Sequence, residues 1–111
     1  MSSEAQIQHA ILLALGCRVD LRVWRQNTGC ARSPKTGRVV RFGVPGWADI
    51  GGVLFPTGRL IQLEVKGPMG RQSPEQRAWE QMVTRFGGFY RVVRSVDEAL
   101  RAVEAAKAGE R

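Results

Sequence analysis

Residues 60–66 read Leu60-Ile61-Gln62-Leu63-Glu64-Val65-Lys66, and their alternation decides the fold. Ile61, Leu63 and Val65 fall on one side and Gln62, Glu64 and Lys66 on the other, the two-residue period of a β-strand with one apolar face. Glu64 and Lys66 therefore project together, about 7 Å apart along the strand. Just upstream, Pro56-Thr57-Gly58-Arg59 has the composition of a four-residue hairpin loop closing Phe55 onto Leu60. Counted back from that loop, the register pairs Leu54 with Ile61, Val53 with Gln62, Gly51 with Glu64 and Asp49 with Lys66. Asp49 then joins Glu64 and Lys66 on the polar face, whereas a one-residue slip would turn it to the apolar one. Gly51 opposite Glu64 would leave room beside the two carboxylates for a hydrated ion. The strand alone fits a second reading equally well, in which Gln62, Glu64 and Lys66 are only its solvated face.

Outward from this strand, three helix starts share one signature. Ser3-Glu4-Ala5-Gln6, Ser73-Pro74-Glu75-Gln76 and Ser95-Val96-Asp97-Glu98 each read as a capping box, with Pro74 at the first helical position, where its missing N–H costs nothing. The first helix is expected to stop at Gly16 and the third to fade at Gly109. The second, with Trp79, Val83 and Phe86 on one face, should stop at Gly87-Gly88. Leu21 to Gln26, Arg38 to Phe42, Ile50 to Phe55, Leu60 to Lys66 and Phe89 to Val93 have strand character, and Thr28 to Arg38 reads as a mobile basic loop. The order α, several β, α, β, α implies an α/β (α+β) fold, a mixed sheet with helices packed on it. Trp24, Trp47 and Trp79 are expected in the core, and His9 to serve packing or solvent contact.

Composition narrows the function. The 111 residues, 43% hydrophobic, suit one compact domain spanning 1–111 that folds without disulfides or a structural metal. No apolar run approaches the ~20 residues that span a bilayer, and Met1-Ser2-Ser3-Glu4 lacks the basic flank of a signal peptide, so a soluble cytoplasmic protein without membrane contact is expected. With Cys17 and Cys30 the only cysteines and His9 the only histidine, one chain cannot assemble a Cys/His zinc site, an HNH-type nuclease or a hydrolase triad. Catalysis is left to carboxylates, lysine and a metal held by oxygen. The formal net charge is +7, and it is unevenly placed. Residues 18–41 carry Arg18, Arg22, Arg25, Arg32, Lys35, Arg38 and Arg41 against Asp20 alone, and residues 71–94 carry five Arg against Glu75 and Glu80. Fourteen of the seventeen basic residues are Arg, whose planar fork suits phosphate oxygens, so nucleic acid is the favoured partner over a merely solubilising surface.

Several segments in order resemble one family. They are the Ser3-Glu4-Ala5-Gln6-Ile7-Gln8 helix start, Arg25-Gln26-Asn27-Thr28-Gly29, Gly43-Val44-Pro45-Gly46-Trp47-Ala48-Asp49-Ile50, Glu64-Val65-Lys66-Gly67, and Ser73-Pro74-Glu75-Gln76 leading to Trp79 and Gly87-Gly88. Asp49 with Glu64-Val65-Lys66 resembles the bipartite PD-(D/E)xK nuclease motif, and the whole set resembles its VRR-NUC (virus-type replication-repair nuclease) branch. One departure is Ala48, where the wider superfamily has Pro before the Asp. The resemblance implies a restriction-endonuclease-like αβββαβ core and a metal-dependent DNA endonuclease with Asp49, Glu64, Lys66 and Gln76 as its catalytic residues. Mg²⁺, replaceable by Mn²⁺, would be held by Asp49, Glu64 and the Val65 carbonyl. Glu4 matches an acidic residue that related junction resolvases bring to the metal, and equally fits a favourable charge at a helix N-terminus. Gln76 either closes its capping box or stands beside the Glu64-Val65-Lys66 strand.

Phosphodiester hydrolysis explains these residue types, because a cation offsets phosphate charge, while Lys66 can orient water or stabilise charge on a non-bridging oxygen. Arg25, Asn27, Arg32, Lys35, Arg38, Arg41 and Arg71 are the expected nucleic-acid contacts, suited to backbone rather than base readout. Stand-alone family members imply a homodimer acting on branched DNA such as four-way (Holliday) junctions. Val39, Val40, Phe42 and Val44 form an apolar run too continuous for one buried strand face, which a second subunit or the chain's own helices would cover. A nuclease for flap, nicked or linear DNA and a non-catalytic basic DNA-binding module of the same fold are the alternatives. The intact Asp49, Glu64 and Lys66 argue against the second.

Overall fold

The computed structural model describes residues 3–26 and 28–111. Ser3 caps helix α1 (Glu4–Gly16), its hydroxyl accepting from the Gln6 N–H at 3.1 Å while Gln6 Oε1 accepts from the Ser3 N–H at 2.8 Å. Ile7, Ile11 and Leu15 recur every four residues and so fall on the face turned to the core. The chain continues through β1 (Leu21–Arg25), β2 (Gly29–Arg32), β3 (Val39–Phe42), β4 (Ile50–Leu54), β5 (Leu60–Val65), α2 (Pro74–Arg85), β6 (Phe89–Val93) and α3 (Val96–Lys107). Four strands make one sheet in the order β1-β4-β5-β6. The β1/β4 and β4/β5 pairs are antiparallel and β5/β6 is parallel, α2 supplying the crossover that parallel neighbours require. The fold is thus α+β with a mixed sheet, and setting aside β2 and β3 the order is αβββαβ followed by α3.

The helices divide between the two faces. Helices α1 and α3 cover the face carrying Ile50, Leu63 and Phe89, all fully buried with Ile11, Leu15 and Val103. Truncating one such side chain to alanine costs about 2–5 kcal/mol. Helix α2 covers the other face, where Ala48, Val83 and Tyr90 pack with Trp79, Met82 and Val92. Phe86, expected on the inward stripe, is 79% exposed, because the helix ends there and Met82 takes the inward position. Trp24, on the edge strand β1, is not a core residue either, being 44% exposed. At α3 the box is half closed: Ser95 Oγ accepts from the Glu98 N–H, but Glu98 Oε1 accepts from the Arg94 N–H. Among the described residues no helix is long and apolar enough to cross a membrane.

Two local expectations are corrected. The β4–β5 loop sits one residue earlier than its composition suggests: the Leu54 N–H donates to Arg59 O at 2.9 Å, the Gly58 N–H to Leu54 O at 2.8 Å, and Gly58 takes the left-handed position at φ 77°. The register therefore moves by two, pairing Ile50 with Leu63, Gly51 with Gln62 and Gly52 with Ile61. A two-residue shift preserves faces, so Asp49 stays on the polar side but now stands across from Glu64 instead of Lys66.

The segment from Thr28 to Arg38 is also not a loop throughout, because β2 pairs with β3 in a separate two-stranded ribbon. Its ladder joins Gly29 to Phe42, Cys30 to Arg41, Ala31 to Val40 and Arg32 to Val39. The Phe42 ring lies on Gly29, where a Cβ would stand only 2.8 Å from it. That close approach, unlike composition, reveals the pairing.

Candidate active site

Asp49 leaves the turn Gly43–Ala48 just before β4, and two interactions set its position. Its Oδ2 accepts from the Val65 N–H at 2.8 Å, tying it to β5, and its backbone carbonyl accepts from the Gln26 N–H at 2.7 Å. Gly46 in this turn has φ 82° and lies so close to α2 that a Cβ would be 2.3 Å from the Glu75 carbonyl oxygen. Only glycine meets both demands.

Glu64 is 3% exposed on the polar side of β5, contrary to a solvated strand face. Its Oε2 accepts from Gln76 Nε2 at 2.9 Å and faces Lys66 Nζ at 3.3 Å. Oε1 is buried without a hydrogen-bond partner among the described residues. Burial pushes the Glu64 carboxyl up to about 7, the neighbouring Asp49 charge adds to the rise, and Lys66 offsets part of it.

Gln76 fulfils both of its readings at once. Its Oε1 accepts from the Ser73 N–H at 2.9 Å and its own N–H donates to Ser73 Oγ at 3.2 Å, closing the capping box, while Nε2 reaches Glu64. The two ends of one amide thus anchor α2 and hold a site carboxylate. Lys66 is held in turn by its loop. Arg94 Nη1 donates to Gly67 O and Nη2 to Gly70 O at 3.1 Å, and Gly70 packs so closely on the Lys66 stem that a Cβ would be 3.1 Å from it.

Asp49, Glu64, the Val65 backbone, Lys66 and Gln76 are therefore brought together. Glu4 is exposed beside Gly67, its Oε2 3.8 Å from where a Gly67 Cβ would be. Among the described residues no three His, Cys, Asp or Glu gather closely enough to hold an ion, so the acidic site is a pair. Two carboxylates, one with a buried unpartnered oxygen, nonetheless fit a hard divalent cation that keeps several waters. The space expected beside Gly51 is filled: a Cβ there would be 2.1 Å from Gln26 Oε1 and 2.9 Å from Gln62 Nε2. Gln26 and Gln62 were not among the expected site residues, and neither was Arg94. Gln62 on β5 and Gln26 just after β1 prove buried, and polarity at those positions is their signal, while Arg94, half-buried after β6, carries none.

Arg25 is exposed beside α1, lining a depression with Ala5, Gln8, His9 and Leu12, and Arg71 is exposed in the loop after Lys66. On the ribbon, Arg32 and Arg41 share one face with Cys30 and Val39, Ala31, Val40 and Phe42 share the other, and Lys35 and Arg38 lie in and beside the turn. Val39, Val40, Phe42 and Val44 are 58%, 53%, 48% and 41% exposed, so helices of this chain do not cover them. Asn27 lies outside the described residues.

A mixed αβββαβ sheet with an acidic pair and a lysine at the meeting of β4 and β5 defines the restriction-endonuclease-like class. The VRR-NUC domain family model matches residues 16–97, most of the chain, and the protein belongs to that family of DNA-processing nucleases. No curated protein matches the sequence.

Proposed function

We propose that this protein is a divalent-metal-dependent endonuclease that hydrolyses phosphodiester bonds in branched DNA, such as four-way junctions, as a homodimer. The observation that carries the metal reading is the buried, unpartnered Glu64 Oε1 beside Asp49, an arrangement that an added cation would satisfy. Asp49, Glu64 and the Val65 carbonyl are the candidate holders of Mg²⁺ or Mn²⁺, which when bound would neutralise phosphate charge and acidify an attacking water. Lys66 supplies a fixed positive charge for a non-bridging phosphate oxygen or for orienting that water. Gln76 holds Glu64 in place from α2. As the water oxygen bonds to phosphorus, one P–O ester bond breaks, leaving a phosphate monoester and a hydroxyl. Glu4, exposed at the rim, would reach the cation only through water. Arg71, Arg25 and the ribbon's Arg32, Lys35, Arg38 and Arg41 would make the sugar-phosphate contacts.

Two symmetric cuts need two sites related by a two-fold axis, and one chain has one. The uncovered Val40 and Phe42 face of the ribbon is the candidate surface for the second subunit, leaving its Arg32 and Arg41 face to DNA. The test is cleavage of matched four-way, flap and linear DNA with and without Mg²⁺ or Mn²⁺, alongside sedimentation. Paired, metal-dependent cuts in junctions by a dimer are expected, and mixed dimers with Glu64→Gln subunits should nick one strand only. Equal cleavage of linear duplex would remove the branched-DNA reading, cleavage in chelator would remove the metal, and junction resolution by a monomer would remove the dimer.

A further inference from the structure

We propose that Gln26 and Gln62 are positioning residues, a buried amide pair that sets the relative placement of the three backbone segments bearing Asp49, Glu64 and Gln76. The proposal rests on reading Asp49 and Glu64 as the holders of a divalent cation. Gln26 is 8% exposed and Gln62 1%, and each uses both ends of its amide. Gln26 Nε2 donates to Ala48 O and to Gln62 Oε1, both at 3.0 Å, and its Oε1 accepts from Trp24 Nε1 at 3.1 Å and Gln62 Nε2 at 3.3 Å. With its backbone N–H on Asp49 O, Gln26 grips the carbonyls on both sides of the Asp49 Cα. Gln62, two residues before Glu64 on the same side of β5, accepts at Oε1 from Trp79 Nε1 at 2.9 Å. Trp79 stands three residues after Gln76 on α2. A continuous chain of hydrogen bonds thus runs from the start of β4 through β5 to α2.

Two features separate this pair from ordinary packing. Buried primary amides gain little over apolar side chains of the same shape, so stability alone does not call for them. The sheet also gives up a side chain to make room, since any residue but glycine at position 51 would collide with Gln26 Oε1. None of the hydrogen bonds in the pair reaches the Asp49 or Glu64 carboxylate, so the action is through the backbone. A carboxylate pair bridging one cation tolerates little change in spacing, and outer partners of metal ligands typically contribute about 10–100-fold in affinity.

The experiment is Mn²⁺ binding by calorimetry on the full chain without DNA, with circular dichroism reporting the fold. Wild type should bind Mn²⁺ and Asp49→Asn should not. The double variant Gln26→Leu/Gln62→Leu should keep its fold and lose about tenfold or more in Mn²⁺ affinity. Its cleavage should need correspondingly more Mn²⁺, with the rate at saturating metal largely retained. Mn²⁺ affinity within twofold of wild type in the folded double variant would overturn the proposal. Should the double variant not fold, Trp79→Phe removes the donor to Gln62 and leaves a smaller aromatic ring in the same packing. A severalfold loss in its Mn²⁺ affinity supports the proposal, and an unchanged affinity overturns it. Absence of Mn²⁺ binding in wild type itself would overturn the metal reading and this inference with it, a result distinguishable from failure of the variants alone.

Discussion

Two carboxylates at opposite corners of the molecule show contrasting uses of one side-chain chemistry. Asp20, where α1 turns into β1, is fully paired: Arg18 meets both its oxygens at 2.9 and 2.8 Å, Lys107 of α3 stands 2.7 Å away, and Arg18 also reaches Glu104 at 2.9 Å. The Arg18 and Lys107 hydrogen bonds hold the Asp20 carboxyl well below the usual range. Glu64 is more deeply buried and has less: one lysine at 3.3 Å, one amide and a neighbouring Asp49 of the same sign. Its carboxyl is pushed up instead. The first arrangement fastens a helix to the sheet, and the second holds charge in a costly state that a cation would relieve. Unfavourable electrostatics concentrated at one place, with favourable electrostatics elsewhere, is the pattern expected of a functional site.

Breaking each carboxylate should expose this contrast. The largest effect is expected at the Asp49–Glu64 pair. Asp49→Asn or Glu64→Gln should lower DNA cleavage by about a thousandfold or more while binding stays equal or strengthens, because a negative charge facing phosphate is gone. Lys66→Ala should lose cleavage as well. Full activity in any of these variants, measured by gel assay on a four-way junction, would remove the catalytic role of that residue.

Next in size is the response to salt. If the ribbon lies along the DNA backbone, Arg32→Ala with Lys35→Ala should flatten the slope of log affinity against log salt by about two units, without altering Mn²⁺ binding. Anisotropy titrations at several salt concentrations read this directly. An unchanged slope would free the ribbon for other partners.

The pH dependences of the two corners should have opposite sign. The folded-state value for Glu64 lies above its unfolded value, so its neutral form favours folding, fully below about pH 4.5, and that contribution fades as pH rises towards about 7. Relative to Glu64→Gln, wild type should therefore lose stability over this interval, and Mn²⁺ should bind more tightly as the proton leaves. Asp20 lies below its unfolded value of 3.8, so its contribution is present above that pH and disappears on acidification. Urea unfolding of wild type, Glu64→Gln and Asp20→Asn from pH 3 to 8 would compare the two, and parallel profiles would refute the contrast. The smallest effect is expected for Asp20→Asn at pH 7, a fall of a few degrees in Tm with cleavage unchanged.

The faces of the sheet were legible from residues 60–66 because side-chain direction along a strand is a local property of period two. That is why Asp49, Glu64 and Lys66 share a side although the register moved by two residues: parity survives such a slip. The capping boxes at Ser3 and Ser73 were legible for the same reason, since donor and acceptor lie three residues apart. The spacing of the site was not. Whether Asp49 faces Lys66 or Glu64 depends on where Gly58 takes its left-handed turn, a choice between neighbouring loops of similar composition. Burial was not legible either. Gln62 and Glu64 alternate like solvent-facing residues, and groups from distant segments enclose them, Gln26 beside Gln62 and α2 over both. The sequence by itself determined which side chains share a face, through local backbone geometry. Tertiary structure alone decided which polar groups lose their water, and so which carboxyl is held near neutrality and which amides must satisfy one another, because desolvation depends on contacts between distant segments.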